Sequence, residues 1–394
     1  MKKEIWVLNG ARTPFGEYNG VLRGFSEIEL GAIAARAALE RAEVDPGCVE
    51  HVIFGNAMQN SRNAIYGARH VSLKAGIPVE TPCLTVNRIC GSGIQSIVSA
   101  AQLVELGEAS TVLAGGMESM SQAPHVIRGA RVGLRLGQGT LEDSLMVSLL
   151  DEYCGLYMAQ TADKVASKLG IGREEMDAYA LRSQQAAERA AKAGKFADEI
   201  VPVTIKKKGV KQPFAEDDHR RPETTLETLA GLSPSFGDEG MVTAGNASGI
   251  VDGAAAVVVM DADKARKSGN KPLGRIVAWD YAGVEPSEMG IGPVPACRGA
   301  LHKAGLSLAE IDLVEINEAF AGQYLAVEKE LELDRDKTNV NGGAIALGHP
   351  LGATGTRLVL TLLLELRRRG GKYGMASACI GGGQGMALIV EALQ

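Results

Sequence analysis

The sequence is short of aromatic residues, basic charge and closely spaced cysteines, and each shortage excludes a class of protein. Aromatic residues make up only 4% of the chain while glycine occurs 49 times, so the core must consist of small aliphatic side chains with close backbone approaches. A net charge of -6 disfavours nucleic-acid binding. The six cysteines form no CxxC pair, which favours reduced thiols over a disulfide framework or a zinc site.

Long apolar runs are also missing. No segment reaches the ~18 consecutive apolar residues of a membrane helix, and residues 1–9 lack the apolar stretch and cleavage site of a signal peptide. The sequence therefore predicts a globular protein in the cytoplasm, without a membrane partner. Its 394 residues exceed one ordinary hydrophobic core, so two or three domains are expected.

Strand-like and helix-like segments alternate along both halves of the chain. In the first half, Ser26 and Glu29 form a capping-box pattern that predicts a helix to Arg41. The other helices of this half are predicted at 65–75 and 90–106, and its strands at 4–8, 52–54, 85–87 and 111–114. The second half has predicted strands at 273–279, 311–316, 338–341, 373–379 and 386–391, with helices at 295–304, 318–331 and 352–369.

This repeated βαβαβαββ order predicts an α/β fold made by internal duplication. The third helix of each half is apolar on almost every side, which is typical of a helix buried between layers. Two such helices between two sheets predict a five-layer αβαβα core. We assign residues 1–116 and 251–271 to the N-terminal half, 272–394 to the C-terminal half, and 117–250 to an inserted loop domain that covers the active site or makes subunit contacts.

Cys90 lies in the motif Asn-Arg-Ile-Cys-Gly-Ser-Gly, where a predicted strand end meets a buried helix. The free N–H groups and partial positive charge of a helix N-terminus stabilise a thiolate, so we expect a lowered pKa for Cys90. The alternative is a small core residue, which is the commoner role of a lone cysteine. We prefer that alternative for Cys48, Cys83, Cys154 and Cys297.

Three further polar residues follow strands or lie in glycine-rich loops. His349 lies in Asn-Gly-Gly-Ala-Ile-Ala-Leu-Gly-His-Pro-Leu-Gly-Ala-Thr-Gly, and is either a base for a thiol or a structural residue of its loop. Cys379 precedes Ile-Gly-Gly-Gly-Gln-Gly, whose backbone N–H groups can line an anion-binding concavity. Asn317 begins Asn-Glu-Ala-Phe directly after a strand, and is a site residue, the N-cap of the next helix, or both.

Together, and in this order, the four motifs resemble the active-site blocks of the thiolase family. The resemblance extends from about Val7 to Val390 and implies the duplicated five-layer thiolase fold. It also implies an acetyl-CoA C-acetyltransferase, which condenses two acetyl-CoA to acetoacetyl-CoA and CoA through an acetyl-Cys90 thioester. No cofactor or metal is expected, because the coenzyme A thioesters are themselves the substrates. The resemblance further implies a homodimer or homotetramer.

The resemblance assigns a role to each catalytic residue. Cys90 would be the nucleophile that takes the acyl group, and His349 would activate it. His349, with a water positioned by Asn317, would also hold the thioester oxygen of the second substrate. Cys379 would move the proton at the α-carbon of acetyl-CoA. The backbone N–H groups of Cys90 and Gly381 would form a second oxyanion hole.

The same resemblance implies a set of residues that contact the CoA thioester: Met158, Arg221, Ala244, Ser248, Ala319 and Phe320. Ser248 belongs to the segment that meets the pantetheine arm in the family. Arg221 falls near the position that contacts the adenosine part. Where many short-chain thiolases have His-Met-Gly, this chain has Tyr157-Met158-Ala159, which leaves the acyl-chain preference open.

Three alternative functions follow from the same residues. A degradative 3-ketoacyl-CoA thiolase has the same catalytic set and prefers longer acyl chains. A condensing enzyme of the ketoacyl synthase type uses one cysteine, so the second cysteine, Cys379, counts against it. A non-catalytic thiolase-like acyl- or lipid-binding protein would be expected to lack Cys90, His349 or Cys379, and none of them is missing.

Overall fold

The computed structural model describes residues 3–393, and its first part alternates strands with helices. The elements up to residue 119 are β1 (Ile5–Arg12), β2 (Gly16–Glu17), α1 (Glu27–Arg41), β3 (His51–Gly55), α2 (Gly67–Ala75), β4 (Cys83–Val86), α3 (Ser92–Leu106) and β5 (Thr111–Ser119). The predicted capping box of α1 is confirmed. The Ser26 hydroxyl accepts from the Glu29 N–H at 3.3 Å, and the Glu29 carboxylate accepts from the Ser26 N–H at 2.9 Å.

Short hairpins and two longer helices occupy the middle of the chain. These elements are β6 (His125–Val126), β7 (Glu142–Asp143), α4 (Ser144–Ser148), β8 (Leu150–Asp151), β9 (Leu156–Tyr157), α5 (Met158–Lys168), α6 (Arg173–Lys192), β10 (Val203–Lys207), β11 (Val210–Phe214) and α7 (Leu226–Ala230). This segment leaves the main sheet at Ser119 and rejoins it at Val251.

The remaining elements complete the N-terminal half and build the C-terminal half. They are β12 (Val251–Asp261), α8 (Ala262–Ser268), β13 (Gly274–Gly283), α9 (Pro293–Ala304), β14 (Leu313–Ile316), α10 (Ala321–Leu331), α11 (Ala344–Leu347), α12 (Leu351–Arg369), β15 (Tyr373–Ile380) and β16 (Gln384–Ala392).

The long strands form one sheet in the order β14-β15-β16-β13-β1-β12-β5-β3-β4, with β2 paired to β12. The pairs β3–β4, β3–β5 and β14–β15 are parallel and the other pairs are antiparallel. We expected two separate sheets. They are joined instead by a short ladder in which Trp6 and Val7 pair with Arg275 and Gly274, because β1 and β13 are the adjoining edge strands of the two halves.

The two apolar helices α3 and α12 lie together at the centre, in one hydrophobic core with strands of both halves. Their backbones are in contact. A Cβ on Gly93 would lie 2.4 Å from Thr356 N, and a Cβ on Gly355 would lie 2.3 Å from Ile94 N. This crossing requires glycine on both helices, and it brings their N-terminal ends to the same cavity.

Other helices cover the outer faces of the strands. Helices α1 and α2 pack on the N-terminal strands in a second core, and α9 and α10 pack on the C-terminal strands in a third, with α5 and α6 beside them. The layers are therefore α1 and α2, N-terminal strands, α3 and α12, C-terminal strands, and α9 and α10. The predicted five-layer αβαβα core is confirmed.

Two predicted elements of the second half are shorter than expected. The strand predicted at 338–341 is a single bridge between Thr338 and Val314, because the chain turns at Asn339, which has a φ of 47°. The helix predicted at 318–331 begins at Ala321 with Phe320 as its N-cap. The N-cap interpretation of Asn317 is therefore wrong.

One described segment, Ile89–Leu106, is long and apolar enough to cross a membrane by length and composition alone. It consists of the central helix α3 and the turn before it. This segment is 56% buried inside the protein, where it packs against α12 and the strands.

Candidate active site

Residues from three distant parts of the chain line one enclosed cavity of about 140 Å³. Cys90 and His349 reach it from the turns before α3 and α12, and Cys379 and Gly381 from the end of β15. Most of the other lining side chains are apolar, among them Met120, Leu149, Phe236, Ile250, Met289 and Leu351. In the described part of the chain, no group of three or more His, Cys, Asp or Glu side chains could hold a metal ion.

Cys90 lies in the middle of a one-turn 3-10 helix, Ile89–Gly91, which leads from β4 into α3. A Cβ at Gly91 would lie 2.5 Å from the end of the Ile380 side chain, so a larger residue there would displace Ile380. Ile89 has a φ of 45°, a left-handed conformation that is rare for a β-branched residue. This sharp turn places Cys90 in the cavity wall beside the end of β15.

The expectation of a lowered pKa for Cys90 is wrong. Burial disfavours the thiolate and raises the pKa of Cys90 to about 11. The backbone N–H groups of Gly381 and of Cys90 itself lower the pKa of Cys90, but this effect is smaller than the increase caused by burial. Cys90 therefore rests as a thiol, and it needs a base when it attacks a substrate.

His349 is buried, and its ring is fixed at both nitrogens. Nδ1 lies 2.6 Å from Thr354 Oγ1, and this hydroxyl donates its own proton to the Pro350 carbonyl at 3.0 Å. Nδ1 must then carry the ring proton, which leaves the lone pair on Nε2. Burial, helped by the positive charge of Arg357, lowers the pKa of His349 to about 3. The imidazole is therefore neutral and can accept a proton at Nε2.

Asn317 lies directly after β14, beside His349. Its Nδ2 is 3.3 Å from His349 Nε2, and its backbone N–H donates to the Ser377 carbonyl at 2.9 Å. Within the described residues, the buried Asn317 Oδ1 has no hydrogen-bond partner. An unpaired buried carbonyl costs about 1–3 kcal/mol, so this atom is available to a water, as the family resemblance implies.

Cys379 is the second thiol of the cavity. It is buried near the end of β15 and packs with Met289 and Ala319. Burial raises the pKa of Cys379 well above its usual value, and the nearby Cys90 raises it further. Because two close thiolates repel each other, ionisation of one cysteine opposes ionisation of the other.

Two buried carboxylates support the site and were not predicted from the sequence. The first, Glu318, accepts hydrogen bonds from the Tyr179 hydroxyl at 2.7 Å, the Ser183 hydroxyl at 2.6 Å and the Ile345 N–H at 3.2 Å. These bonds tie the loop before His349 to helix α6. The only signal in the sequence was an acidic residue two positions after a buried strand.

The second carboxylate, Glu118, is the last residue but one of the apolar strand β5. It accepts hydrogen bonds from the N–H groups of Ala57, Met58 and Gly352 at 3.0, 3.1 and 2.9 Å. Burial nevertheless raises the pKa of Glu118 to about 7. Since Gly352 belongs to the first turn of α12, Glu118 anchors the helix that follows His349.

Four of the six predicted substrate contacts line the cavity: Met158, Ser248, Ala319 and Phe320. The Ser248 N–H donates to the Ala319 carbonyl at 2.9 Å, which joins the two segments that carry them. The other two, Arg221 and Ala244, lie outside the cavity lining. Arg221 is half-exposed and forms an ion pair with Glu17.

A second, open groove of about 640 Å³ borders the enclosed cavity. It extends along the segment 147–153. Tyr157 lines neither space, because its ring packs on Phe236 with 5.1 Å between the ring centroids. The two spaces share five lining residues: Cys90, Leu149, Met158, Leu351 and Gly381.

Comparison with known proteins agrees with this arrangement. Family profiles described as "Thiolase, N-terminal domain" and "Thiolase, C-terminal domain" match residues 5–263 and 270–392. The 3-ketoacyl-CoA thiolase of human mitochondria is 56% identical over 388 residues, which cover 98% of each chain. An acetyl-CoA acetyltransferase of Cupriavidus necator is 48% identical over 390 residues, 98% of this chain and 99% of that one. The crystal structure of the human mitochondrial 3-ketoacyl-CoA thiolase in complex with CoA is similar with a TM-score of 0.97 and 55% identity, over 99% of this chain and 98% of that one.

Proposed function

Because this chain belongs to the thiolase family, we propose that it condenses two acetyl-CoA to acetoacetyl-CoA and CoA, and catalyses the reverse thiolysis. One observation carries this proposal. Two thiols and a neutral imidazole from three distant segments line the same enclosed cavity, together with Gly381.

In the first half-reaction, Cys90 takes the acetyl group. His349 Nε2 accepts the thiol proton as the sulfur attacks the thioester carbonyl of acetyl-CoA. The N–H groups of Cys90 and Gly381 stabilise the oxyanion, and one such donor contributes roughly 2.7–4 kcal/mol. The carbon–sulfur bond to CoA then breaks, and the departing sulfur takes the proton of Cys379. The products are acetyl-Cys90, free CoA, a protonated His349 and a Cys379 thiolate.

In the second half-reaction, the Cys379 thiolate removes an α-proton from another acetyl-CoA. The enolate oxygen accepts hydrogen bonds from protonated His349 Nε2 and from a water held by Asn317. The carbanion forms a carbon–carbon bond with the acetyl carbonyl as Cys90 leaves. The Cys90 sulfur recovers its proton from His349, so both thiols and the neutral imidazole are restored.

Acetylation of Cys90 also determines when Cys379 ionises. In the free enzyme, burial and the nearby Cys90 both raise the pKa of Cys379. A thioester on Cys90 carries no charge, and a protonated His349 attracts the thiolate. Cys379 therefore becomes the base only after the acyl group is in place.

Thiolysis of acetoacetyl-CoA by free CoA tests the proposal. Chromatography should show two acetyl-CoA formed for each acetoacetyl-CoA consumed. Cys48 is exposed on a surface turn, and Cys48→Ser should retain the full rate as a matched control. If the wild-type protein releases no acetyl-CoA from acetoacetyl-CoA or from longer 3-ketoacyl-CoA esters, the proposal is wrong.

The degradative 3-ketoacyl-CoA thiolase is the second candidate function. The open groove favours it, because an acyl chain on Cys90 could continue between Met158 and Leu351 into that space. One relative, at 56% identity, is named a 3-ketoacyl-CoA thiolase, and another, at 48% identity, is named an acetyl-CoA acetyltransferase. The rates with acyl chains of different length decide between the two candidates.

We also propose that the protein forms a homo-oligomer. Strand β4 is at the end of the sheet, and among the described strands only β3 pairs with it. Beside this edge, Leu84 and Leu106 line an apolar groove and are 47% and 72% exposed. Two copies that pair their β4 edges would bury both residues. Light scattering should give the molar mass of a dimer or a tetramer, and Leu84→Asp should shift this mass toward that of the monomer.

The cytoplasmic location stays a prediction. The human relative described above is named as a mitochondrial protein. Fractionation of source cells with a cytoplasmic marker would test it, and recovery of the protein in an organelle fraction would overturn it.

A further inference from the structure

The backbone of the turn that carries Cys90 is strained at Ile89. Burial of the Ile89 side chain does not explain this strain. Ile89 has a φ of 45°, although its side chain is 39% exposed. Such conformations persist only where the surroundings enforce them. Two neighbours contribute: Asn87 Oδ1 accepts from the Ile89 N–H at 2.9 Å, and the Ser92 hydroxyl donates to the Ile89 carbonyl at 2.7 Å.

Arg88, the residue before Ile89, is held by side chains from three other elements. Its Nε donates to Gln95 Oε1 of α3 at 2.7 Å, and its Nη1 donates to Gln384 Oε1 of β16 at 3.1 Å. The guanidinium also lies over the ring of Tyr281 in β13, 5.0 Å from its centroid. Arg88 therefore connects the Cys90 turn of the N-terminal half to two strands of the C-terminal half.

Gln384 begins β16 directly after the tight turn at Gly381, Gly382 and Gly383. The Arg88–Gln384 hydrogen bond thus joins the two chain segments that carry the N–H groups of Cys90 and Gly381. Cys90 and Gly381 both line the enclosed cavity. Arg88 lines neither the cavity nor the groove, so it does not contact the reacting atoms.

We propose that Arg88 is a positioning residue that sets the spacing of the Cys90 and Gly381 N–H donors around the acyl group. This inference rests on the proposed acyl transfer to Cys90. Without the Arg88–Gln384 bond, the Cys90 turn relaxes from its strained conformation and the two donors no longer meet one carbonyl oxygen. The planar guanidinium holds two acceptors at fixed angles, which a lysine ammonium does not reproduce.

The carbonyl stretch of acetyl-Cys90 measures this geometry directly. A Cys379→Ala background traps the acetyl-enzyme, and carbon-13 acetyl-CoA identifies its carbonyl band by infrared difference spectroscopy. Hydrogen bonds lower the stretching frequency, so Arg88→Met and Gln384→Met should move the band to higher frequency. Gln384→Glu keeps an acceptor for Arg88 and should leave the band in place.

Kinetics in the otherwise unchanged protein supply the second readout. Arg88→Met and Gln384→Met should lower kcat for thiolysis by roughly ten- to a hundredfold, with KM for CoA within about twofold. Arg69→Met is the matched control, because Arg69 also ties a loop, through the Val79 and Thr81 carbonyls, but lies away from the cavity. This control should change neither readout.

The outcomes distinguish a failure of acyl transfer to Cys90 from a failure of the positioning role of Arg88. If no acetyl group forms on Cys90 in the wild-type protein or in the Cys379→Ala background, the proposed acyl transfer fails. If it forms, and Arg88→Met and Gln384→Met match Arg69→Met in band position and kcat, the positioning role of Arg88 is wrong while the function stands. Thermal melts check folding, and Gln384→Met decides alone if Arg88→Met does not fold.

Discussion

Thr354 determines which nitrogen of His349 carries the lone pair. Its hydroxyl gives its only proton to the Pro350 carbonyl and accepts from His349 Nδ1 at 2.6 Å. All three residues lie at the beginning of α12, so one turn of helix sets both the ring orientation and its tautomer. The same arrangement leaves the lone pair of His349 on Nε2, the nitrogen that takes the Cys90 proton in the proposed reaction.

Thr354→Val should lower kcat by roughly ten- to a hundredfold, because Nδ1 loses its acceptor and the ring no longer prefers the productive tautomer. The KM for acetyl-CoA should change little, since Thr354 does not line the cavity. Thr354→Ser keeps the hydroxyl and should stay within about threefold of wild type. Equal losses in the valine and serine variants would show that packing, not the hydrogen bond, is responsible.

The sequence predicted the fold well where local signals and packing agree. The Ser26 capping box and the burial of both apolar helices appear in the structure as expected. The segments that carry Cys90, His349 and Cys379 line one cavity. No single motif predicted this, but the four motifs taken together did.

Other features depend on distant contacts that no local pattern records. The predicted pKa of Cys90 had the wrong direction, because the loss of water at the cavity outweighs the helix N-terminus. The supporting roles of Glu118 and Glu318 depend on N–H and hydroxyl donors far away in sequence. The strain at Ile89 appears only in the backbone.

Cys90→Ser should abolish covalent acetylation and lower activity by on the order of a thousandfold or more, because a hydroxyl is far harder to ionise than a thiol. Mass spectrometry of the intact protein after exposure to acetyl-CoA measures the adduct. Wild-type protein and Cys48→Ser should both gain one acetyl group. An acetyl group on another residue, with Cys90 unmodified, would refute the assignment of the nucleophile.

Cys379→Ala should separate the two half-reactions. The variant should still accept an acetyl group on Cys90, although more slowly, because the Cys90 sulfur and His349 are unchanged and only the proton donor to the departing CoA sulfur is lost. It should fail to form acetoacetyl-CoA and fail to exchange the methyl protons of acetyl-CoA with deuterated water. Normal exchange, followed by proton NMR, would mean that the base at the α-carbon is a different group.

Alkylation of Cys90 by iodoacetamide should rise about tenfold per pH unit from about pH 7 to about pH 9 without a plateau. Burial raises the pKa of Cys90 to about 11, so over this range the reactive thiolate stays a small and growing fraction. Free cysteine is the control, because its rate should level off above its pKa of about 8.5. A plateau for Cys90 near pH 8 would show a stabilised thiolate instead. Acetyl-CoA should protect Cys90 at every pH.

The last prediction concerns the length of the acyl chain, which Met158 should control. The enclosed cavity has about 140 Å³, while the open groove beyond Met158 and Leu351 has about 640 Å³. A Cβ on Gly381 would lie 3.2 Å from Met158 Sδ, so the thioether packs closely against the oxyanion segment. We therefore expect the four-carbon 3-ketoacyl-CoA to be preferred, because a longer chain must displace Met158 at a cost of order 1–3 kcal/mol.

Met158→Ala should open the passage and let a six-carbon substrate bury two more methylenes. At about 0.8 kcal/mol for each methylene, the ratio of kcat/KM between the six-carbon and four-carbon substrates should rise roughly tenfold. Met146→Ala is the matched control, because Met146 lies in the nearby helix α4 and lines neither space. If kcat/KM of the wild-type protein instead rises steadily through eight or more carbons, Met158 already moves aside, and the protein is the degradative 3-ketoacyl-CoA thiolase.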